Sequence, residues 1–209
     1  MHISQLSTPV LQIGCIASWD CKKHLVELIL VFISILAHVL DAHQHIWARI
    51  LVFPNLLFNL YIYTNKQLYG KVIYSLGTVF FHLYAYLKWK GGKTRPPVQV
   101  SRTTPAMLTL IMGLGFIGAL SWCCLITRYA RIPLSAIYLD AFYASFGFVE
   151  KWLMSHKKLE RWILALLRYP AFAIACYTTG SLILAVHQII LIFIAIYGQI
   201  KWHKTYKKT

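Results

Sequence analysis

The sequence predicts an all-α membrane protein with seven transmembrane helices. Three observations predict it: 58% of the 209 residues are hydrophobic, only 13% are charged, and seven long apolar runs follow one another through short polar links. A water-soluble chain of this length hides a core beneath polar side chains, and 13% charged residues is too thin a cover. Lipid needs no such cover, and a helix crosses its hydrocarbon in ~20 residues. The runs exceed strand length and lack strict alternation, so they read as helices and not as a lipid-facing barrel.

Residues 1–24, MHISQLSTPVLQIGCIASWDCKKH, lack the basic start of a secretory leader. They are expected to form an amphipathic arm at the outer surface. The first run, 25–41, ends at DAHQH; His43 and His45 bracket this loop with His38, a solvated or interfacial set. Run two, 46–63, carries Pro54 and ends at TNKQ. Run three, 68–89, closes on Lys88-Trp89. Run four, 107–127, contains GLGFIGAL, where Gly115 and Gly118 permit close helix approach. Run five, 133–155, leads through SHKK to run six, 159–177, which carries Pro170. After TTG, run seven, 181–202, closes on Lys201-Trp202. Pro54 and Pro170 are expected to kink their helices. The five cysteines show no metal spacing and read as small hydrophobes.

The formal charge of +15 sits at the loop ends. One side of the membrane receives Lys90, Lys93, Arg95, Arg102, Lys157, Lys158 and the tail lysines 201, 204, 207 and 208. The other receives Lys22, Lys23, Lys66, Lys71, Arg128 and Arg131. The richer side is cytoplasmic by the positive-inside rule, which puts the N-terminus outside and the C-terminus inside. Charges scattered in this way form no nucleic-acid groove, and no nucleic-acid partner is expected.

Phe80, Tyr84, Lys88 and Trp89 recur 113 residues later as Phe193, Tyr197, Lys201 and Trp202. Pro54 and Tyr61 recur 116 residues later as Pro170 and Tyr177, so one loop would differ by three residues. The pattern predicts a 3+1+3 parallel repeat: 25–89 and 133–202 are the copies and 107–127 the linker helix. Together they form one seven-helix transporter domain over 25–205, followed by a basic cytoplasmic tail, 203–209. Each Lys-Trp pair reads as an interfacial anchor, indole at headgroup depth and ammonium toward lipid phosphate.

Ionisable and polar groups inside the runs are the candidate site. Asp140, Tyr143, Gly147 and Glu150 share one face of run five. Ser75, Thr78 and His82 share a face of run three, Trp162 and Tyr169 a face of run six, and His187 and Gln188 lie early in run seven. Turned inward, these faces make an aromatic-walled pocket with hydrogen-bonding groups. It suits a flat heteroaromatic ring with a hydroxylated part, and a cationic ring would stack on Trp162, Tyr143 or Tyr169. Two readings stand for three of these residues: Glu150 beside Lys151 as an interfacial ion pair or a site group, His82 as a bridge between helices or a substrate contact, and Trp162, like Trp152, as an anchor or a site group. An integral membrane enzyme lacks support, since no nucleophile–base pair, metal cluster or paired carboxylates stand out among six acidic residues. Neither a channel filter nor a phosphate-binding loop is present.

Run three, LYGKVIYSLGTVFFHLYAYLKWK, and run five with its turn, LDAFYASFGFVEKWLMSHKKLERW, resemble the PnuC-type vitamin transporters over roughly 25–205. Leu-Tyr, two polar positions seven apart, an Asp-Ala segment and Glu-x-Trp carry the resemblance, with Gly180 and Gly198 around the last run. The family is known for nicotinamide riboside, with thiamine and riboflavin relatives. The resemblance implies homotrimers in the cell (inner) membrane and facilitated diffusion of a small-molecule vitamin, most often nicotinamide riboside, without a cofactor. A cytoplasmic kinase then traps the vitamin by phosphorylation. It also implies a substrate site of Trp162, Tyr169, Asp140, Tyr143, Ser75, His82 and Gln188, with Trp162 favoured over Trp152. The chain departs from the family at Ala165, usually Trp, at Tyr169, usually Asn or Asp, at Ser75 and His82, often Gln, and at Tyr143 and Ala144. These departures fall where substrate is expected.

Overall fold

The computed structural model describes residues 21–91, 98–129 and 131–208, with side chains from residue 25 onward. Most of the expected N-terminal arm, with Lys93 and Arg95, lies outside the described residues. Seven helices follow in order: α1 (Cys21–Ala42), α2 (Val52–Asn65) after a 3-10 turn (Ile46–Arg49), α3 (Tyr69–Lys90), α4 (Pro105–Ile126), α5 (Leu134–Ser155), α6 (Glu160–Thr178) and α7 (Leu182–Tyr206). The first helix starts four residues ahead of run one, and run two is broken by the 3-10 turn. Leu25–Ala42, Ile46–Asn65, α4 and α7 are long and apolar enough to cross a membrane. The other three, α3, α5 and α6, bury charged side chains, which lowers their hydropathy: Lys71, then Asp140, Glu150 and Lys151, then Arg161 and Arg168.

Helix ends are built alike in the two halves. Leu68 N–H donates to Tyr63 O at 3.0 Å, and Ser181 N–H to Cys176 O at 2.8 Å. His45 N–H donates to Leu40 O at 2.8 Å, and Lys158 N–H to Leu153 O at 2.9 Å. Each such six-residue closure needs a left-handed residue just past the helix. Gln44 (φ 56°), Gln67 (φ 56°), Lys157 (φ 49°) and Gly180 (φ 73°) supply it. Members of these pairs stand 113 residues apart, as do the starts of α1 and α5 and of α3 and α7. Pro54 and Pro170, 116 apart, are therefore not in matching positions. Pro54 lies in the first turn of α2, where a missing N–H costs nothing, so it makes no mid-helix kink; Pro170 lies inside α6.

The two Lys-Trp pairs differ from the anchors expected of them. Trp89 and Trp202 are buried, with ring centroids 6.1 Å apart. Trp89 Nε1 donates to Ser155 O at 3.3 Å, the last residue of α5, and Trp202 Nε1 donates to Ala42 O at 3.2 Å, the last of α1. Each indole so ties the end of one half to the other, and the C-terminal ends of α1, α3, α5 and α7 gather at one end of the bundle. The outward groups are Lys88 and Lys201, which donate to Tyr84 and Tyr197 hydroxyls at 3.2 and 3.4 Å.

Helix α4 packs against α5. A Cβ on Gly115 would lie 3.1 Å from Phe146 and 3.2 Å from Val149, and one on Gly118 would lie 3.3 Å from Ser145 Oγ. The close approach expected of these glycines is made within the chain. The strand-like link before α4 is pinned to the α5–α6 turn: Ser101 N–H donates to Lys157 O at 3.1 Å, and Leu159 N–H to Ser101 O at 3.0 Å.

Candidate functional site

A cavity of about 70 Å³ opens between α1, the 3-10 turn, α2, α3, α5, α6 and α7. Five of the seven sequence-predicted site residues line it: Ser75, His82, Tyr143, Tyr169 and Gln188. The helical spacing of Ser75, Thr78 and His82 does put them on one wall, as α3 turns its polar face inward. Two of their hydroxyls donate back along the helix, Ser75 Oγ to Lys71 O and Thr78 Oγ1 to Ser75 O, each at 2.8 Å. On α7, Gln188 Nε2 lies 3.2 Å from His187 Nδ1. Asn55 Oδ1, Tyr169 OH, His187 Nε2 and Gln188 Oε1 are buried around the cavity without a protein partner.

Asp140 and Trp162 lie elsewhere. Asp140 accepts from Gly70 N–H at 2.6 Å and Lys71 N–H at 2.9 Å, so a carboxylate from α5 caps the start of α3. Negative charge is favourable there because the helix dipole points its positive end at it. Trp162 is fully buried against α7, where Gly198 leaves room: a Cβ there would meet the indole at 2.5 Å.

Several lining residues escaped the sequence reading. His38, placed in a loop set, lines the cavity; its Nδ1 lies 2.8 Å from Ser34 O and its ring meets Tyr169 edge-on at 6.0 Å. Lys71, assigned to an outer loop, is buried. Its Nζ donates to Tyr143 OH at 2.9 Å and stands 4.6–5.4 Å from the rings of Tyr143, Tyr74, Tyr63 and Phe172.

A ladder of buried charge runs from Asp41 at the C-terminal end of α1 to the backbone of Tyr143 in α5. Asp41 is held by Arg49 through one oxygen and by Arg161 through the other, at 2.5 Å. Arg161 reaches Glu150 Oε1 at 3.3 Å, and Arg168 holds the second Glu150 oxygen. Arg168 Nε ends the chain on Tyr143 O at 2.9 Å. Arg49 Cζ also stands over the Trp89 ring, 4.1 Å from its centre. Glu150 is thus a member of a buried network, and its pairing with Lys151, whose Nζ stands 3.6 Å from Oε1, is buried and not at the membrane surface. In the α5–α6 turn, burial and then Arg49 hold the Lys157 ammonium below the usual lysine range. The signal for this network was present: acidic and basic residues inside or beside apolar runs, whose cost in lipid demands pairing. Among the described residues no three His, Cys, Asp or Glu side chains cluster to hold a metal.

The pattern of the family described as "Nicotinamide mononucleotide transporter" matches residues 24–204. The chain belongs to that family. The solved structure titled "Crystal structure of the Vitamin B3 transporter PnuC" shares the fold, with a TM-score of 0.72 and 19% identity over 88% of this chain and 83% of that one. No curated protein matches the chain. Family membership and seven helices make this a multi-pass membrane transporter of the NAD-precursor and vitamin class, and the membrane-enzyme reading falls away.

Proposed function

We propose that the protein carries a flat, hydroxylated NAD precursor across the cytoplasmic membrane by facilitated diffusion, with nicotinamide riboside the first compound to test. One observation carries the reading: four orphan polar atoms, on Asn55, Tyr169, His187 and Gln188, converge on one cavity. Each unpaired buried group costs ~1–3 kcal/mol, which a hydroxyl- and amide-bearing ligand recovers. Tyr63, Tyr74, Tyr143 and Tyr169 wall the same space. Ser75, His82, Tyr143, Tyr169 and Gln188 are the contacts we assign, with Trp162 and Asp140 supporting them from behind. Ligand sites span ~300–1,000 Å³, so loading draws the lining helices apart from the 70 Å³ seen here.

The shared 113-residue register favours the halves 25–89 and 133–202 as two copies rocking about this site. Assembly as a homotrimer, an inner-membrane location with the C-terminus inside, and trapping by a cytoplasmic kinase complete the reading. Thiamine or riboflavin is the second reading, favoured by the departures at Ala165 and Tyr169. Proteoliposomes should equilibrate labelled nicotinamide riboside without ATP or an ion gradient, and Gln188→Leu should slow uptake at least fivefold. Accumulation that an ionophore collapses would overturn passive transport.

A further inference from the structure

The rings that could stack a cationic ligand are taken by the protein's own cations. Lys71 Nζ stands 4.6–5.4 Å from the ring centres of Tyr63, Tyr74, Tyr143 and Phe172 and donates to Tyr143 OH. Arg168 Cζ stands over the same Tyr143 ring at 4.2 Å and over Tyr74 at 5.0 Å, while Phe172 stacks on Tyr143 at 4.1 Å. Trp162, expected to stack a cation, carries Arg161 Cζ at 4.0 Å instead and does not line the cavity. Of the three rings expected to receive a cationic ligand, Tyr169 alone lines the cavity with no cation over it among the described residues.

A cation–π contact needs a bare ring face. A pyridinium or thiazolium ring entering here would share its faces with an ammonium and a guanidinium, and like charges in a low-dielectric space repel strongly. A free carboxylate could offset that repulsion, but the three buried among these helices are committed. Asp41 accepts from Arg49 and Arg161. Glu150 accepts from Arg161 and Arg168, with Lys151 Nζ 3.6 Å away. Asp140 accepts from the backbone of α3. The open groups beside Tyr169 include the uncharged amide oxygens of Asn55 and Gln188. They serve hydroxyl and amide donors and give a ring cation no counter-charge.

Resting on the transport reading above, we propose that the ring carried is uncharged, and that Lys71 sets this preference. Its ammonium holds the cation's place in the cage and turns away pyridinium and thiazolium rings. An uncharged flat ring stacks on Tyr169, and its hydroxyl and amide groups pair with Asn55 and Gln188. Among NAD precursors that class is the reduced, dihydropyridine form of nicotinamide riboside. Under the second reading it is riboflavin and not thiamine.

A matched pair of ligands isolates ring charge. Nicotinamide riboside and its reduced form differ by one hydride, and so by the charge of the ring. In calorimetric titrations of the full-length protein in nanodiscs, the reduced form should bind at least tenfold more tightly. Where neither riboside binds, riboflavin and thiamine decide by the same criterion. Lys71→Met should raise the affinity for the cationic member at least fivefold relative to the uncharged one, a gain that a folding defect would not produce. Lys71→Gln, which removes the charge and can still donate to Tyr143, should act in the same direction and serves if the methionine variant does not fold. A preference for the uncharged ring below tenfold, or one that both Lys71 variants leave unchanged, overturns the proposal and leaves the transport reading standing. Binding of none of the four compounds removes both.

Discussion

Asp140 shows how a charged residue inside an apolar run can serve the backbone. Its carboxylate satisfies two first-turn N–H groups of α3, on Gly70 and Lys71. Asp140→Ala should lower stability by ~0.5–2 kcal/mol, the worth of a cap, measured by thermal unfolding in detergent. Ligand affinity at a temperature where the variant stays folded should change less than in Gln188→Leu. Glu150 carries more. It faces Arg161, Arg168 and Lys151, and Glu150→Gln removes the charge that holds them. Breaking one member of a buried ion network typically costs ~3–5 kcal/mol, because the remaining charges stay buried. The double variant Glu150→Gln/Arg168→Gln should be destabilised by less than the sum of the single changes, and additivity in unfolding measurements would separate the two residues energetically.

Among the elements, the α6–α7 contact depends on a missing side chain. Trp162 fills the space above Gly198 and meets Trp202 edge-on, with centroids 5.5 Å apart. Gly198→Leu should force the indole away and cost ~1–3 kcal/mol by overpacking. Trp162→Ala leaves a cavity in the same place, costing ~3–5 kcal/mol. Trp152→Ala should cost less, because Trp152 is half-buried and stacks on His156 near the bundle's end. Unfolding curves of the three variants check this order. A loss of substrate affinity in folded Trp162→Ala that exceeds the loss in Tyr169→Phe would return Trp162 to the binding site. Helix α4 is held by glycine contacts on one face and exposes Ile117 and Leu120 on the other, the face available to lipid or to a neighbouring subunit.

For the whole molecule, the proposed orientation rests on charge. With Lys71 counted as buried and not as a loop charge, the side expected to face outward loses one cation, and the positive-inside argument gains contrast. A fluorescent protein that matures only in the cytoplasm, fused after the last residue, should glow, and a periplasm-dependent phosphatase fused there should stay silent. The reverse pair of results would invert the topology. Native mass spectrometry from mild detergent should give a complex of three chains.

Hydropathy and run length alone determine the fold class, because lipid accepts only long apolar helices or closed barrels. Helical spacing was enough to put Ser75, Thr78 and His82 on one wall, since residues three and seven apart share a face in any α-helix. Partners were another matter. Whether Trp89 reaches lipid or the carbonyl of Ser155 depends on a helix 66 residues away in sequence, and spacing along one chain segment carries no information about such a neighbour. The same holds for Asp41 between Arg49 and Arg161, and for Lys71 inside a cage drawn from α2, α3, α5 and α6. Local pattern decided which residues form a face, and only the packing of seven helices decided which charge each face would meet.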